Sequence, residues 1–298
     1  MRKISFVFGL SFSILIATAQ KTDHKLYSKL TEAVQGFNGD VGIYIKELKT
    51  GKVVTINADT IFPTASIVKV SILLGVMDKI EKGELHYDSA QVYRDSLLYE
   101  GEDILGSFKD GEKILLKKIM MLMLTTSDNT ASLWLQKLAG TGIRINEILD
   151  SLGFTNTRVN SRTPGRETNR SNYGWGQTTP KEIGTLFEMI YRNKIFSPAA
   201  CERMMRCLGR NYWDENEAIS QIPPYIEVFS KNGCINAVRS EVLLVNAPHN
   251  PYIFCIFTKN NKDQSWKHET EAWRLARKTS KLVWDYFEPK DKWESASD

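Results

Sequence analysis

Cysteine and histidine are scarce, four of each in 298 residues. The histidines, His24, His86, His249 and His268, stand singly, and Cys201, Cys207, Cys234 and Cys255 form no Cys-x-x-Cys or Cys-His spacing. That pattern argues against a zinc site and against a serine–histidine pair recognisable from a local motif. No cofactor or metal is expected. An excess of one charge is missing too, with 39 basic residues against 35 acidic ones. Such a balance argues against a nucleic-acid partner. The apolar stretch from Ile4 to Ile16 falls short of the roughly twenty residues that span a bilayer. It follows Met1-Arg2-Lys3 and precedes the small-residue pattern Ala17-Thr18-Ala19, which reads as a secretory signal over residues 1–19. The expectation is an exported, periplasmic chain starting near Gln20, monomeric and without a stable membrane anchor. No cysteine near the cleavage point suggests a lipid anchor. Disulfides are chemically permitted in that compartment, and the sequence cannot pair the cysteines.

What the chain does contain is a serine one helical turn before a lysine, in Phe62-Pro63-Thr64-Ala65-Ser66-Ile67-Val68-Lys69. The apolar run through Met77 predicts a buried helix, so Lys69 would sit in the first turn of a buried element. Residues three apart share a face, and the Lys69 amine can approach the Ser66 hydroxyl. Neutralised by burial, that amine could serve as a base. A capping serine followed by a snorkelling lysine is the plainer alternative.

The remaining pattern is mixed. Val41–Ile45 and Val53–Ile56 predict a hairpin turning at Lys49–Lys52. Helical spacing covers Glu112–Thr125, Thr130–Leu138, Arg144–Leu152 and Pro180–Asn193, the last with a hydroxyl cap and proline at its start. Asn156–Gln177 has no usable period, and a loop of that length predicts function. Strands are expected again at Tyr225–Phe229, Ser240–Val245 and Tyr252–Thr258, followed by a helix over Glu269–Phe287. Strands at both ends can join into one antiparallel sheet around a helical insert. That organisation gives an α/β lobe from residues 20–60 and 218–298, and a helical lobe from 61–217.

Two further blocks follow Ser66 in order. Ser127-Asp128-Asn129 comes directly after an apolar helix, and Lys231-Asn232-Gly233-Cys234 ends a strand-like run. Each could be an ordinary polar turn. Together, Ser-x-x-Lys, Ser-Asp-Asn and a late Lys-x-Gly resemble the signature of class A β-lactamases and penicillin-binding proteins. The chain resembles the class A β-lactamase family, in the branch described as related serine hydrolases of the penicillin-recognising superfamily. Lys49-Thr50-Gly51 precedes Ser66 and is a decoy.

The resemblance implies a two-lobed β-lactamase/transpeptidase-like α/β (α+β) fold and a Ser66 acyl-enzyme. By it, Lys69 would be the proton acceptor, Ser127 would pass a proton to the leaving nitrogen, and Asn129 would hold the substrate amide. Lys231 would attract the substrate carboxylate, with Asn232 beside it and Arg239 as a second contact. The N–H groups of Ser66 and Cys234, next to Gly233, would form the oxyanion hole. Two departures stand out. Asn232 replaces a threonine or serine, and counting without gaps from Ser127 and Pro180 puts the family's deacylating glutamate at Thr163. Glu167 is the nearest acid and the candidate for that role. The expected substrates are β-lactam amides. Alternatives are D-alanyl peptides or small esters, or a β-lactam sensor that is acylated without turnover.

Overall fold

The computed structural model describes residues 21–101 and 103–295. The expected signal segment lies outside them. Helix α1 (His24–Ala33) is capped by Asp23, whose Oδ1 accepts the Leu26 N–H at 3.1 Å. Strands β1 (Asp40–Glu47) and β2 (Val53–Ile56) form the expected hairpin. Its turn is held by the Glu47 carboxylate, which accepts the N–H groups of Lys49 and Thr50. Next come β3 (Phe62–Pro63), α2 (Val68–Glu81), β4 (Ala90–Val92) and β5 (Lys113–Leu115). The helices α3 (Leu116–Thr125), α4 (Asn129–Leu138) and α5 (Thr141–Ser151) follow. Then come β6 (Arg158–Val159), α6 (Glu167–Tyr173), β7 (Gly176–Thr178), α7 (Pro180–Tyr191) and α8 (Pro198–Leu208). The chain ends in β8 (Val228–Ile235), β9 (Val238–Val245), β10 (Tyr252–Lys259) and α9 (Glu271–Phe287).

The main sheet has the order β2-β1-β10-β9-β8 and is antiparallel throughout, so strands from the two ends of the chain pair directly, Ile43 against Ile256. Alternate residues feed two cores. Ile43, Ile45, Phe254 and Ile256 meet Leu26 and Leu30 of α1 and Trp284 of α9. On the opposite face Tyr44, Ile253, Cys255 and Phe257 pack with α7 and with the helical layer of α2–α5 and α8. Gly184 lets α7 lie close to the sheet, since a Cβ there would stand 2.7 Å from the Tyr44 ring. Among the described residues no helix is long and apolar enough to cross a membrane. All four cysteines are free thiols.

Two expectations need correction. The strand expected at Tyr225–Phe229, β8, starts at Val228 and continues through Lys231, Asn232 and Gly233 to Ile235. These polar residues can lie inside a buried strand because their partners are internal. The 156–177 stretch is not structureless: it holds β6, α6 and β7, with β7 pairing to β3. Helices α1 and α8, not among the expected elements, bury Leu26 and Leu30, and Met204 and Leu208.

The segment before β6 is fixed by Glu182 of α7. Its carboxylate accepts the N–H groups of Thr155, Asn156 and Thr157 at 3.1, 3.0 and 2.6 Å, and the Thr157 hydroxyl at 2.5 Å. Burial pushes this acid upward, but the Thr157 hydroxyl and the backbone donors outweigh it and hold it below its ordinary range. We expect Glu182→Gln to lower unfolding free energy by about 2 kcal/mol at pH 7, measured by urea denaturation. The folded pKa is depressed. The contribution is therefore present above the unfolded carboxyl value and is lost as pH falls through the folded one, so the gap between variant and wild type should close in acid.

Candidate active site

Ser66 is positioned by a backbone that leaves little choice. Phe62 and Pro63 pair with Thr178 and Gln177, and the Thr64 N–H donates to the Gly176 carbonyl at 3.0 Å. Ala65 then adopts the left-handed region, φ 44°, which a residue with a side chain rarely occupies. This strained step starts a 3-10 turn, Ala65–Ile67, that runs into α2. Strain of this kind persists only where the surroundings over-determine it. Helix α2 is buried from Val68 to Asp78, which places Lys69 wholly out of solvent while Ser66 remains partly accessible.

The Lys69 Nζ lies 3.1 Å from Ser66 Oγ, 2.9 Å from Ser127 Oγ and 2.8 Å from Asn129 Oδ1, and it also meets the Ser127 carbonyl. Burial drives its pKa well below that of an ordinary lysine, and the nearby Lys231 charge pushes the same way. Asp103 and Asp128 oppose the shift without cancelling it. A neutral amine donates two hydrogens and accepts one. The Ser127 carbonyl and Asn129 Oδ1 satisfy the two donors, leaving a lone pair for a serine hydroxyl.

Ser127 is itself left-handed, φ 61°, at the entry to α4. Two carboxylates clamp that entry. Asp128 Oδ1 accepts the Ala131 N–H at 2.7 Å and its Oδ2 the Leu105 N–H at 2.9 Å. Asp103 accepts the N–H groups of Asn129 and Thr130 at 2.9 and 2.7 Å. The helix start therefore supplies the donors that fix Ser127 and Asn129 in place. Asp128 is thus a cap. Asp103 carries no sequence signal, since it sits in a loop with neither periodicity nor a recognisable motif.

On the other wall, β8 lies against the Ser66 turn. A Cβ at Gly233 would stand 2.4 Å from the Thr64 carbonyl oxygen and 3.0 Å from the Ser66 nitrogen. Only glycine lets the two backbones approach, which puts Cys234 next to Ser66. Both line a cavity of about 220 Å³ whose other walls are Ala65, Tyr99, Asn129, Ile235 and the Tyr173-Gly174-Trp175 run after α6. Tyr99 and Trp175 meet edge to face, with centroids 5.2 Å apart.

The structure thus gathers Ser66, Lys69, Ser127 and Asn129 into one hydrogen-bonded group, with Gly233 and Cys234 beside it. Lys231 is fully buried on the same strand, and its Nζ donates to the Asn232 carbonyl and to Asn232 Oδ1 at 2.8 and 2.9 Å. Burial lowers its pKa to about 8. Three expectations fare differently. Arg239 is not available for a substrate: its guanidinium donates to the carbonyls of Ile235, Asn236, Val238 and Ser265 and stacks on Trp266 at 4.5 Å. Glu167 is exposed in the first turn of α6, where its Oε1 accepts the Gly165 N–H at 3.1 Å, and it does not line the cavity beside Ser66. An acid in the first turn is favoured by the positive end of the helix, and Glu167 stands there. Thr163 is buried against Gly142 of α5 and donates to the Ser161 carbonyl. Among the described residues the cavity wall contains no carboxylate.

The comparisons with known proteins agree with this geometry. The sequence model described as the Beta-lactamase enzyme family matches residues 25–287. Beta-lactamase VEB-1 of Pseudomonas aeruginosa is 24% identical over 299 residues, covering 96% of this chain and 97% of that protein. Among solved structures, PBP-A superposes with a TM-score of 0.80 at 22% identity, over 91% of this chain and 99% of that one. A mutant of PBP-A is known as an acyl-enzyme complex with penicillin G. A β-lactamase from Chitinophaga pinensis gives a TM-score of 0.79 at 19% identity, over 88% and 99% of the two chains. The family model spans nearly all of the described chain, so this chain belongs to the β-lactamase enzyme family, as a class A β-lactamase-like serine enzyme.

Proposed function

We propose that the chain opens β-lactam amides through an ester on Ser66, and that release of the acyl group by water is the slow step. The observation that carries the first part is the buried Lys69 amine within 3.1 Å of Ser66 Oγ and 2.9 Å of Ser127 Oγ. Ser66 Oγ would attack the amide carbonyl carbon as its proton passes to the Lys69 Nζ. The oxyanion would be met by the N–H groups of Ser66 and Cys234, which Gly233 allows to converge. The carbon–nitrogen bond then breaks. The leaving nitrogen takes the Ser127 hydroxyl proton, and Lys69 returns its proton to Ser127, leaving an ester on Ser66. Asn129 and the Tyr99–Trp175 wall would hold the acyl side chain.

The second part rests on Glu167. With that carboxylate in solvent and none on the cavity wall among the described residues, no described acid is placed to activate water against the ester. This favours an enzyme that is acylated readily and turns over slowly, and at its limit a sensor. The signal pattern of residues 1–19 supports action in the periplasm.

A chromogenic cephalosporin, followed by absorbance and by intact-protein mass, tests both parts. We expect a burst close to one equivalent, a persistent adduct mapping to the Ser66 peptide, and a slow linear phase. Absence of both adduct and colour change would reject β-lactams as substrates. Rapid linear turnover without a burst would show that deacylation is not limiting and would overturn the slow-release part.

A further inference from the structure

Behind Lys231 lies a polar cluster that the serine chemistry does not use. The Asn232 amide bridges two opposite charges. Its Oδ1 accepts from the Lys231 ammonium at 2.9 Å, and its Nδ2 donates to Glu217 Oε1 at 2.9 Å. This is the only amide orientation that serves both neighbours, because an ammonium has no acceptor and a carboxylate no donor. Glu217 is buried at 6% exposure, and its other oxygen accepts the Asn216 N–H at 3.0 Å. Directly across from Asn232 on β9 stands a second buried acid, Glu241. Its Oε2 accepts the Ala218 N–H at 2.6 Å, while its Oε1 has no hydrogen-bond partner. Burial raises both acids, but it pushes Glu241 well above the ordinary carboxylate range and the Glu217 charge adds to that shift, whereas the Asn216 N–H and the Asn232 amide oppose it at Glu217, so Glu217 ionises the more readily of the pair.

The consequence falls on the edge of the cleft that β8 forms, where Cys234, two residues beyond Asn232, lines the Ser66 cavity. Lys231 is occupied on its own strand, Asn232 has both amide ends engaged, and Arg239 is committed to backbone carbonyls. A substrate carboxylate entering there meets a lysine whose charge is already balanced by an internal carboxylate. We propose that Glu217, acting through Asn232, is a specificity-determining residue that makes this side of the cleft select acyl donors with a neutral ester or carboxamide group over those with a carboxylate. The inference rests on the Ser66 acyl-enzyme reading. It also accounts for asparagine at 232: a threonine hydroxyl has a single donor and could not span from Lys231 to Glu217 with a rigid two-ended group.

The test uses a matched pair of probes, a chromogenic cephalosporin with its free carboxylate and the same molecule as its neutral methyl ester. Second-order acylation rates of the full mature chain are measured by intact mass for each. In the wild type the ester should acylate at least as fast as the acid. Glu217→Gln should raise the acid-to-ester rate ratio about tenfold, the effect of removing one buried negative charge near the subsite. The gain should appear in the concentration dependence rather than in the limiting rate. Asn232→Thr breaks the bridge while leaving Glu217 in place and should move the ratio in the same direction; thermal melts identify a variant that fails to fold. An acid that outpaces the ester in the wild type, or variants that change both probes equally, would overturn the inference and leave the acyl-enzyme reading standing. Failure of both probes to label Ser66 would overturn the two together.

Discussion

Ser66→Ala should abolish the covalent adduct and cut turnover of a chromogenic cephalosporin by on the order of 10³-fold or more, the scale of loss when a covalent nucleophile is removed. A second hydroxyl, Ser127, touches the same amine at 2.9 Å, so the assignment has to be argued. Two features separate them. Ser66 opens a 3-10 turn facing Gly233, where backbone N–H groups can meet an oxyanion, whereas Ser127 stands on the opposite side of Lys69 before the clamped start of α4. Only Ser66 has both a base and a place for the developing negative charge. Stability should hardly move. The Ser66 side chain is partly accessible and its hydrogen bond is to Lys69, so a melt should stay within a few degrees of wild type. Adduct on the Ser127 peptide of the variant, or turnover within tenfold of wild type, would reject Ser66 as the nucleophile.

Much of this site is legible in the sequence. The serine–lysine spacing, the apolar run after it and the order of the later blocks predicted Ser66, Lys69, Ser127 and Asn129, because a buried helix carrying a lysine in its first turn leaves a local trace. What the sequence could not show depends on long-range pairing. Asp103 reaches α4 across 26 residues, and Glu217 reaches Asn232 across 15, from loops without periodicity. Arg239 looked available because its partners are backbone carbonyls, which leave no mark in composition. Glu167 was chosen for being the nearest acid, and nearness in sequence does not decide which way the first turn of a short helix faces. The strand over Val228–Ile235 was cut short for a related reason. Lys231 and Asn232 read as a polar turn until their internal partners are known, and buried polar residues are tolerated when they are hydrogen-bonded.

Lys69→Met, which keeps length and apolar volume but removes the amine, should lower the rate of Ser66 acylation by on the order of 10³-fold, at the upper part of the range for proton transfer by a positioned base. The wild-type pH profile carries the diagnostic sign. Lysine is a base only when deprotonated, and burial with the Lys231 charge holds Lys69 well below its ordinary value. Acylation should therefore rise with pH through this lowered pKa and level off well before the pH at which a free lysine titrates, whereas residual acylation in the variant should lack that step. Stability gives an independent check. Between the folded pKa of Lys69 and 10.5, the unfolded chain binds more protons than the folded one, so folding is opposed as pH falls through that window, with the full penalty below it. Methionine carries no such penalty. The variant leaves acceptors on Ser127 and Asn129 without the amine, a cost that varies little with pH. The lowered Lys231 acts alike in both proteins. The difference in melting temperature, variant minus wild type, should consequently be more positive at pH 7 than at pH 10. A flat difference together with acylation within tenfold of wild type would mean that Lys69 is neither neutralised by burial nor the base.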